Sequence, residues 1–117
     1  MPWIDILIPL NAEQNTQERV KEGLARIMEE VVQKEEKGLY VTFTEAKGFY
    51  RAGTACLDGA VVDVRYIGSF PLEKKRELTK RICALLAKEL GTDPQKVYIT
   101  FSELTSENWG RRAGEYS

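Results

Sequence analysis

The chain contains two copies of one sequence pattern, and this internal duplication is what most restricts its fold. When the sequence is shifted by 58 residues, about forty-five positions align without a gap. Residues 4–6 then fall on 62–64, and residues 40–45 fall on 98–103. The arginine–alanine–glycine motif at 51–53 recurs at 112–114 if three extra residues are allowed in the second copy. One supersecondary unit has therefore been used twice.

Each copy has the pattern of a strand, a helix and a second strand. The middle segment of each copy has apolar residues at the spacing of one helical stripe, and β-branched and aromatic residues follow it. The apolar positions are Val20, Leu24, Ile27, Met28 and Val32 in the first copy and Leu78, Ile82, Leu85, Leu86 and Leu90 in the second. Asn15 is a plausible N-cap for the first helix, while Pro71 and Gly91 mark the start and end of the second.

Two such units predict an α+β fold of duplicated β-α-β type. Right-handed crossovers make the strands within each unit parallel, so the two copies form one four-stranded mixed sheet with both helices on one face. We expect a single domain over residues 1–117, with pseudo-repeats at about 2–58 and 60–117. The other face of the sheet is left uncovered, and we expect Trp3, Tyr66, Tyr98 and Phe101 to lie near it. An uncovered face in a chain this small predicts packing against another copy.

Composition excludes several classes of function. The chain has no histidine and only two cysteines, so a His/Cys metal site and a histidine-dependent triad are not expected. We expect no cofactor. The formal net charge of −1 argues against general nucleic-acid binding. The apolar segment at the start of the chain is interrupted by Asp5 and is too short to span a membrane. The low cysteine content favours the cytoplasm.

Pro2 is the strongest candidate for chemistry. It follows Met1 and leads directly into the first predicted strand, so removal of Met1 would leave a prolyl amine held at a strand end. Burial and nearby cations both favour the neutral form of such an amine, which can then act as a general base next to a carbonyl group. The equivalent position in the second copy is Ala60, which has no free amine. Each chain therefore offers one such base.

The chain resembles the tautomerase superfamily, and within it the macrophage migration inhibitory factor branch. The resemblance rests on Met1-Pro2 opening a strand and on the segments 66–68, 97–99 with Phe101, and 108–110. Residues 40–45 also resemble the 4-oxalocrotonate tautomerase branch, in which one β-α-β unit forms the whole subunit. The resemblance implies a homotrimer with active sites between neighbouring subunits, and it implies that Pro2 is the base.

The resemblance also implies roles for other residues. The backbone N–H of Ile67 matches a substrate contact, and Tyr98 matches a tyrosine contributed by the adjacent subunit. Thr100 replaces an asparagine often found in relatives, and Trp109 lies in the matched segment 108–110, predicted to line the pocket. At the position of the lysine that binds a substrate carboxylate, this chain has Glu36, with Lys37 beside it.

Three cations are therefore candidates for binding a substrate carboxylate. Lys37 would serve if its loop shifts, and Arg111, with Arg112 beside it, could hold a carboxylate at the mouth of the pocket. Arg65 precedes residues 66–67, and strand alternation places it off the helix-facing side of the sheet. The alternative for the two C-terminal arginines is a solvated tail.

These observations predict a cofactor-free keto–enol tautomerase that acts on a 2-keto acid such as an arylpyruvate. One alternative keeps the fold but hydrates, dehalogenates or decarboxylates a small unsaturated or 3-oxo acid, and it needs an acidic partner such as Glu36, Glu45 or Glu103. A second alternative is a non-catalytic trimeric interaction protein.

Overall fold

The elements of the chain follow the twofold pattern of the sequence. The computed structural model describes residues 2–111 and 113–116. The first copy contains β1 (Trp3–Ile8), α1 (Gln14–Val32), β2 (Tyr40–Glu45) and a hairpin of β3 (Tyr50–Arg51) and β4 (Thr54–Ala55). The second contains β5 (Ala60–Ile67), α2 (Leu72–Leu90), β6 (Val97–Leu104) and a hairpin of β7 (Gly110–Arg111) and β8 (Glu115–Tyr116). Short 3-10 turns at Glu36–Gly38 and Pro94–Lys96 precede β2 and β6.

The four long strands form one mixed sheet in the order β2-β1-β5-β6. Within each copy the two strands are parallel, and the inner strands β1 and β5 pair antiparallel across the junction between the copies. Trp3 pairs with Arg65, and Val61 pairs with Tyr98. The predicted α+β fold with a four-stranded mixed sheet is confirmed.

Both helices cover the same face of the sheet, as predicted. Alternate residues of the inner strands point toward the helices and are buried: Ile4, Ile6, Ile8, Ala60, Val62, Val64 and Tyr66. The helices supply buried residues from their apolar stripes, with Leu24 and Leu78 fully buried. A Cβ on Gly23 of α1 would lie 2.5 Å from Leu85 of α2, so glycine allows the two helices to approach closely at this point.

The face of the sheet away from the helices, called the open face below, has a polar centre. Asp5 accepts hydrogen bonds from the hydroxyls of Thr42 (2.6 Å) and Thr44 (3.0 Å). In the second copy, Asp63 accepts hydrogen bonds from Thr100 (2.6 Å) and Ser102 (3.0 Å). Both halves of the open face therefore have the same arrangement, in which one aspartate accepts hydrogen bonds from two hydroxyl groups. The centre of the open face is therefore polar.

Two aromatic residues expected near the open face lie on the other side. Tyr66 is fully buried on the helix side, and Phe101 packs against the same core. Strand alternation explains the difference. Tyr66 follows Val62 and Val64 at every second position of β5, so its side chain faces the helices as theirs do. Trp3 and Tyr98 point to the open face, and both are exposed.

The prediction for the start of α1 was wrong. Asn15 lies inside the helix, which begins at Gln14 with Glu13 as its N-cap and without a capping side-chain hydrogen bond. The side chain of Gln17 instead donates a 2.8 Å hydrogen bond to the carbonyl of Ala12. In α2 the prediction holds, because Pro71 is the N-cap and Gly91 ends the helix with a φ of 72°. Among the residues that the structure describes, no helix combines the length and apolar character needed to cross a membrane.

Candidate active site

Pro2 lies immediately before β1 and is buried. Its carbonyl accepts a 3.0 Å hydrogen bond from the backbone N–H of Tyr40, the first residue of β2. The backbone of Pro2 is thus attached to the edge strand, and the proline ring restricts rotation about φ. The start of the chain is held in place here by sheet hydrogen bonding. Met1, whose removal the sequence analysis requires, lies outside the described residues.

An aromatic cleft opens beside the start of β1. It is a cavity of about 330 Å³ lined by Trp3, Tyr40, Thr42 and Trp109. The indole N–H of Trp3 donates a 2.9 Å hydrogen bond to the Thr42 hydroxyl, which fixes the ring against β2. Trp109 follows the 3-10 turn Ser106–Asn108 and approaches the cleft from the C-terminal part of the chain. A cleft of this size and lining suits a small aromatic molecule.

Arg65 lies on the open face, as strand alternation predicted, and it contacts Trp3. Its guanidinium carbon is 4.0 Å from the centroid of the indole ring, and its Nε is 2.7 Å from a carboxylate oxygen of Asp63. Its Nη1 atom is buried and has no hydrogen-bond partner among the described residues. The charge of Arg65 is therefore already shared with one carboxylate and one aromatic ring on the open face.

Tyr98 and Thr100 lie on the far edge strand, away from Pro2. Tyr98 is in register with Val61, four residues along β5 from the partner of Trp3, which corresponds to about 13 Å along the strand. The phenol of Tyr98 is exposed, whereas the hydroxyl of Thr100 donates to Asp63. Within one chain, Tyr98 and Pro2 are not brought together.

The remaining predicted site residues are spread around the Pro2 end of the sheet and beyond it. Lys37 lies in the 3-10 turn before β2, where its ammonium is highly exposed and 3.3 Å from Glu35. Ile67 is the half-buried last residue of β5, and Arg111 lies in β7. Arg112 lies outside the described residues.

A polar cluster anchors the turn that follows Ile67. The carboxylate of Glu103 accepts a 2.7 Å hydrogen bond from the Tyr66 hydroxyl and a 2.8 Å hydrogen bond from the backbone N–H of Phe70, and Lys75 lies 3.2 Å away. The ring of Tyr66 stacks on Phe70. The hydrogen bond from Tyr66, the bond from Phe70 and the charge of Lys75 lower the pKa of Glu103. Burial and the Glu103 carboxylate raise the pKa of Tyr66 well above its usual value.

This cluster predicts a loss of stability at high pH. Above the usual tyrosine pKa of 10.0 the unfolded chain gives up the Tyr66 proton while the folded chain keeps it, so the free energy of unfolding should fall as the pH rises. In Tyr66→Phe this contribution should be absent, although stability at neutral pH should drop by about 1 kcal/mol because Glu103 loses a donor. Urea unfolding from pH 8 to 11 measures both effects. The exposed Tyr50→Phe is the matched control, and a parallel slope in wild type and Tyr66→Phe would contradict the assignment.

Two residues of the aromatic cleft were not predicted from the sequence. Trp3 was expected only to lie near the uncovered face of the sheet, and Tyr40 was considered only as part of the repeated segment 40–45. Parallel pairing within a β-α-β unit offered a signal, because it brings the start of the second strand beside the start of the first. Tyr40 could have been placed beside residues 2–3 on that basis.

Comparisons with known proteins give a consistent result. The family model of macrophage migration inhibitory factor (MIF) matches residues 1–115. The crystal structure of MIF2 from Leishmania major has a TM-score of 0.88 at 19% identity, covering 100% of this chain and 97% of that chain. The MIF structure from Toxoplasma gondii has a TM-score of 0.89 at 16% identity, covering 98% and 99% respectively.

A third similar structure, described as a fused 4-OT wild-type symmetric trimer, has a TM-score of 0.85 at 16% identity. It covers 97% of this chain and 94% of that chain. At these identities the structural likenesses establish the fold. A sequence comparison with curated proteins finds no match.

Proposed function

The chain belongs to the macrophage migration inhibitory factor family, and on this basis we propose that it is a cofactor-independent keto–enol tautomerase of a 2-keto acid such as an arylpyruvate. The general base is the amine of Pro2, freed by removal of Met1. The observation that carries this proposal is the buried Pro2, whose carbonyl is hydrogen-bonded to Tyr40, one of three aromatic residues that line a neighbouring cleft. In this proposal the cleft accommodates the aryl group of the substrate.

The chemistry requires a neutral amine at Pro2. Burial disfavours the ammonium form and lowers the pKa of an amine, so a buried prolyl nitrogen can accept a proton near neutral pH. The nitrogen takes the proton from the carbon next to the substrate carbonyl and returns it to complete the keto–enol exchange. The developing enolate oxygen needs hydrogen-bond donors, for which we propose the backbone N–H of Ile67 and the hydroxyl of Tyr98.

The contribution of Tyr98 requires a second copy of the chain. Because Tyr98 lies at the other end of the sheet from Trp3, it cannot reach the Pro2 site of its own chain. We therefore propose a homotrimer in which Tyr98 of one subunit completes the site of its neighbour. The similar structure described as a fused 4-OT trimer supports this assembly.

The rival reactions need an acidic partner near Pro2, but two of the three acidic candidates are already engaged and the third lies at the other end of β1. Glu103 is held by Tyr66, Phe70 and Lys75, and Glu36 lies 3.2 Å from Lys21. Glu45 is exposed at the end of β2. It pairs with Ile8, at the opposite end of β1 from Trp3. This arrangement favours proton transfer by Pro2 alone over activation of water.

The proposal is tested by the rate of phenylpyruvate enol–keto exchange as a function of pH. The rate should decrease as the pH falls through the pKa of the Pro2 amine, because only the neutral amine is a base. A rate that increases toward low pH would favour a charged Pro2 acting as an acid. Absence of exchange in a sample whose intact mass confirms loss of Met1 would favour a non-catalytic protein.

A further inference from the structure

A second cavity, the hairpin cavity, lies between the β3–β4 hairpin and the first residues of β5 and β6. It has a volume of about 400 Å³ and its functional lining consists of Phe49, Tyr50, Arg51, Gln95, Lys96 and Tyr98. Ala60 also lines it and corresponds by the duplication to Pro2. The hairpin cavity is thus the second-copy counterpart of the Pro2 region, without a base but with Tyr98 at its wall.

The β3–β4 hairpin positions the backbone of Arg51 at this cavity. Arg51 pairs with Thr54 across a two-residue turn in which Ala52 has a φ of 52° and Gly53 a φ of 82°. Positive φ at both central residues is the geometry of a tight hairpin turn whose twist matches its strands. Alanine adopts this conformation rarely, so the surrounding hairpin must hold it there. The guanidinium is therefore presented from a short, defined backbone segment.

Arg51 is free to bind an anion, whereas the neighbouring Lys96 is already paired with a carboxylate. The ammonium of Lys96 lies 3.2 Å and 3.3 Å from the two carboxylate oxygens of Asp58, and this hydrogen-bonded pair lowers the pKa of Asp58. Arg51 is exposed and forms no ion pair within residues 2–111 and 113–116. Arginine also suits a carboxylate better than lysine, because its planar fork can donate two parallel hydrogen bonds.

We propose that Arg51 binds the carboxylate of the substrate, and that it does so in the active site of the neighbouring subunit to which Tyr98 is donated. This inference rests on the proposed function. Arg51 and Tyr98 line one cavity, so a subunit that presents Tyr98 to a neighbour presents Arg51 with it. Lys37 and Arg65, the cations expected on the Pro2 side, already face Glu35 and Asp63.

The first test compares substrates with and without the carboxylate. Arg51→Gln should raise KM for phenylpyruvate by about tenfold to a hundredfold with little change in kcat, since the contact exists in both ground and transition states. It should leave the methyl ester of phenylpyruvate unaffected, and Arg51→Lys should restore part of the loss. Lys80→Gln, an equal charge change on the exposed face of α2, is the matched control. An equal effect on acid and ester would overturn the proposal, because it would indicate a structural role.

The second test decides whether Arg51 acts on its own chain or on its neighbour. A chain with both Tyr98→Ala and Arg51→Gln is mixed with a Pro2→Ala chain, so every working site combines Pro2 of the first chain with Tyr98 of the second. Such a site has an intact arginine at position 51 only if Arg51 acts on the neighbouring subunit. The recovered activity should have the wild-type KM. A KM raised as in the Arg51→Gln protein would overturn action on the neighbour.

A binding measurement separates this inference from the proposed function. Calorimetric titration of the wild-type protein with 3-phenylpropionate, which cannot tautomerise, should give a dissociation constant that Arg51→Gln raises by about tenfold or more and Lys80→Gln leaves unchanged. If this holds while phenylpyruvate is not turned over, the carboxylate site stands and the tautomerase proposal fails. If turnover is present but binding does not depend on Arg51, the tautomerase proposal stands and this inference is wrong.

Discussion

Alanine in place of Pro2 is expected to lower kcat/KM for phenylpyruvate enol–keto exchange by about 10²-fold to 10⁴-fold, the usual contribution of a positioned general base. The substitution keeps the backbone carbonyl that accepts the N–H of Tyr40, so the start of β1 should stay in place. It replaces a rigid secondary amine with a primary amine that can rotate. The rate is measured from the decay of the absorbance of the substrate enol, with protein from which Met1 has been removed.

Two further variants give this prediction its controls. Pro9→Ala makes the same chemical change just beyond the other end of β1 and should retain the wild-type rate. An extra alanine between Met1 and Pro2 keeps every side chain but converts the Pro2 nitrogen to an amide, so it should abolish exchange. Wild-type activity in either Pro2→Ala or the insertion variant would exclude Pro2 as the base.

Mixing two inactive variants is expected to restore activity. Tyr98→Ala should lose about 10²-fold or more of kcat/KM because the enolate loses a hydrogen-bond donor. If Tyr98 acts on the neighbouring subunit, random assembly of equal amounts of Tyr98→Ala and Pro2→Ala chains gives both intact groups in about one site in four. The mixture should then recover about a quarter of the wild-type rate per chain. The rate is measured after joint refolding, with native mass spectrometry to verify mixed assemblies.

The control for this experiment uses a chain with both substitutions. When that chain is mixed with Pro2→Ala, no site contains an intact Pro2, and no recovery is expected. Recovery confined to the first mixture would establish that Tyr98 acts in trans. If mixed assemblies form and remain inactive, Tyr98 does not complete a neighbour's site.

Much of the fold could be predicted because its signals are periodic and occur twice. The stripe that includes Leu24 and its counterpart Ile82 predicted both helices, and the strand–helix–strand pattern predicted parallel strands within each unit. The start of α1 was misplaced at Asn15 because the helix uses Glu13 as its N-cap without a side-chain hydrogen bond. Capping motifs predict only those helix ends that use them.

The candidate site could be predicted only in part, because contacts across a sheet depend on strand register. Nothing in the local sequence indicated that Arg65 stacks on Trp3. Arg51 was noticed only as part of a repeated motif, and its place in a cavity with Tyr98 depends on how the hairpin folds back on β5 and β6.

By itself, the sequence determined the duplicated β-α-β architecture, the absence of a histidine and the single prolyl base candidate, since these follow from composition and from spacing along the chain. Only the tertiary structure decided that an aromatic cleft opens beside the start of β1 and that Tyr98 lies about 13 Å from Trp3 along the strand direction. It also decided which cations are already paired. The reason is physical: side chains distant in sequence become neighbours through strand register and helix packing, and their charges can be assigned only once those neighbours are known.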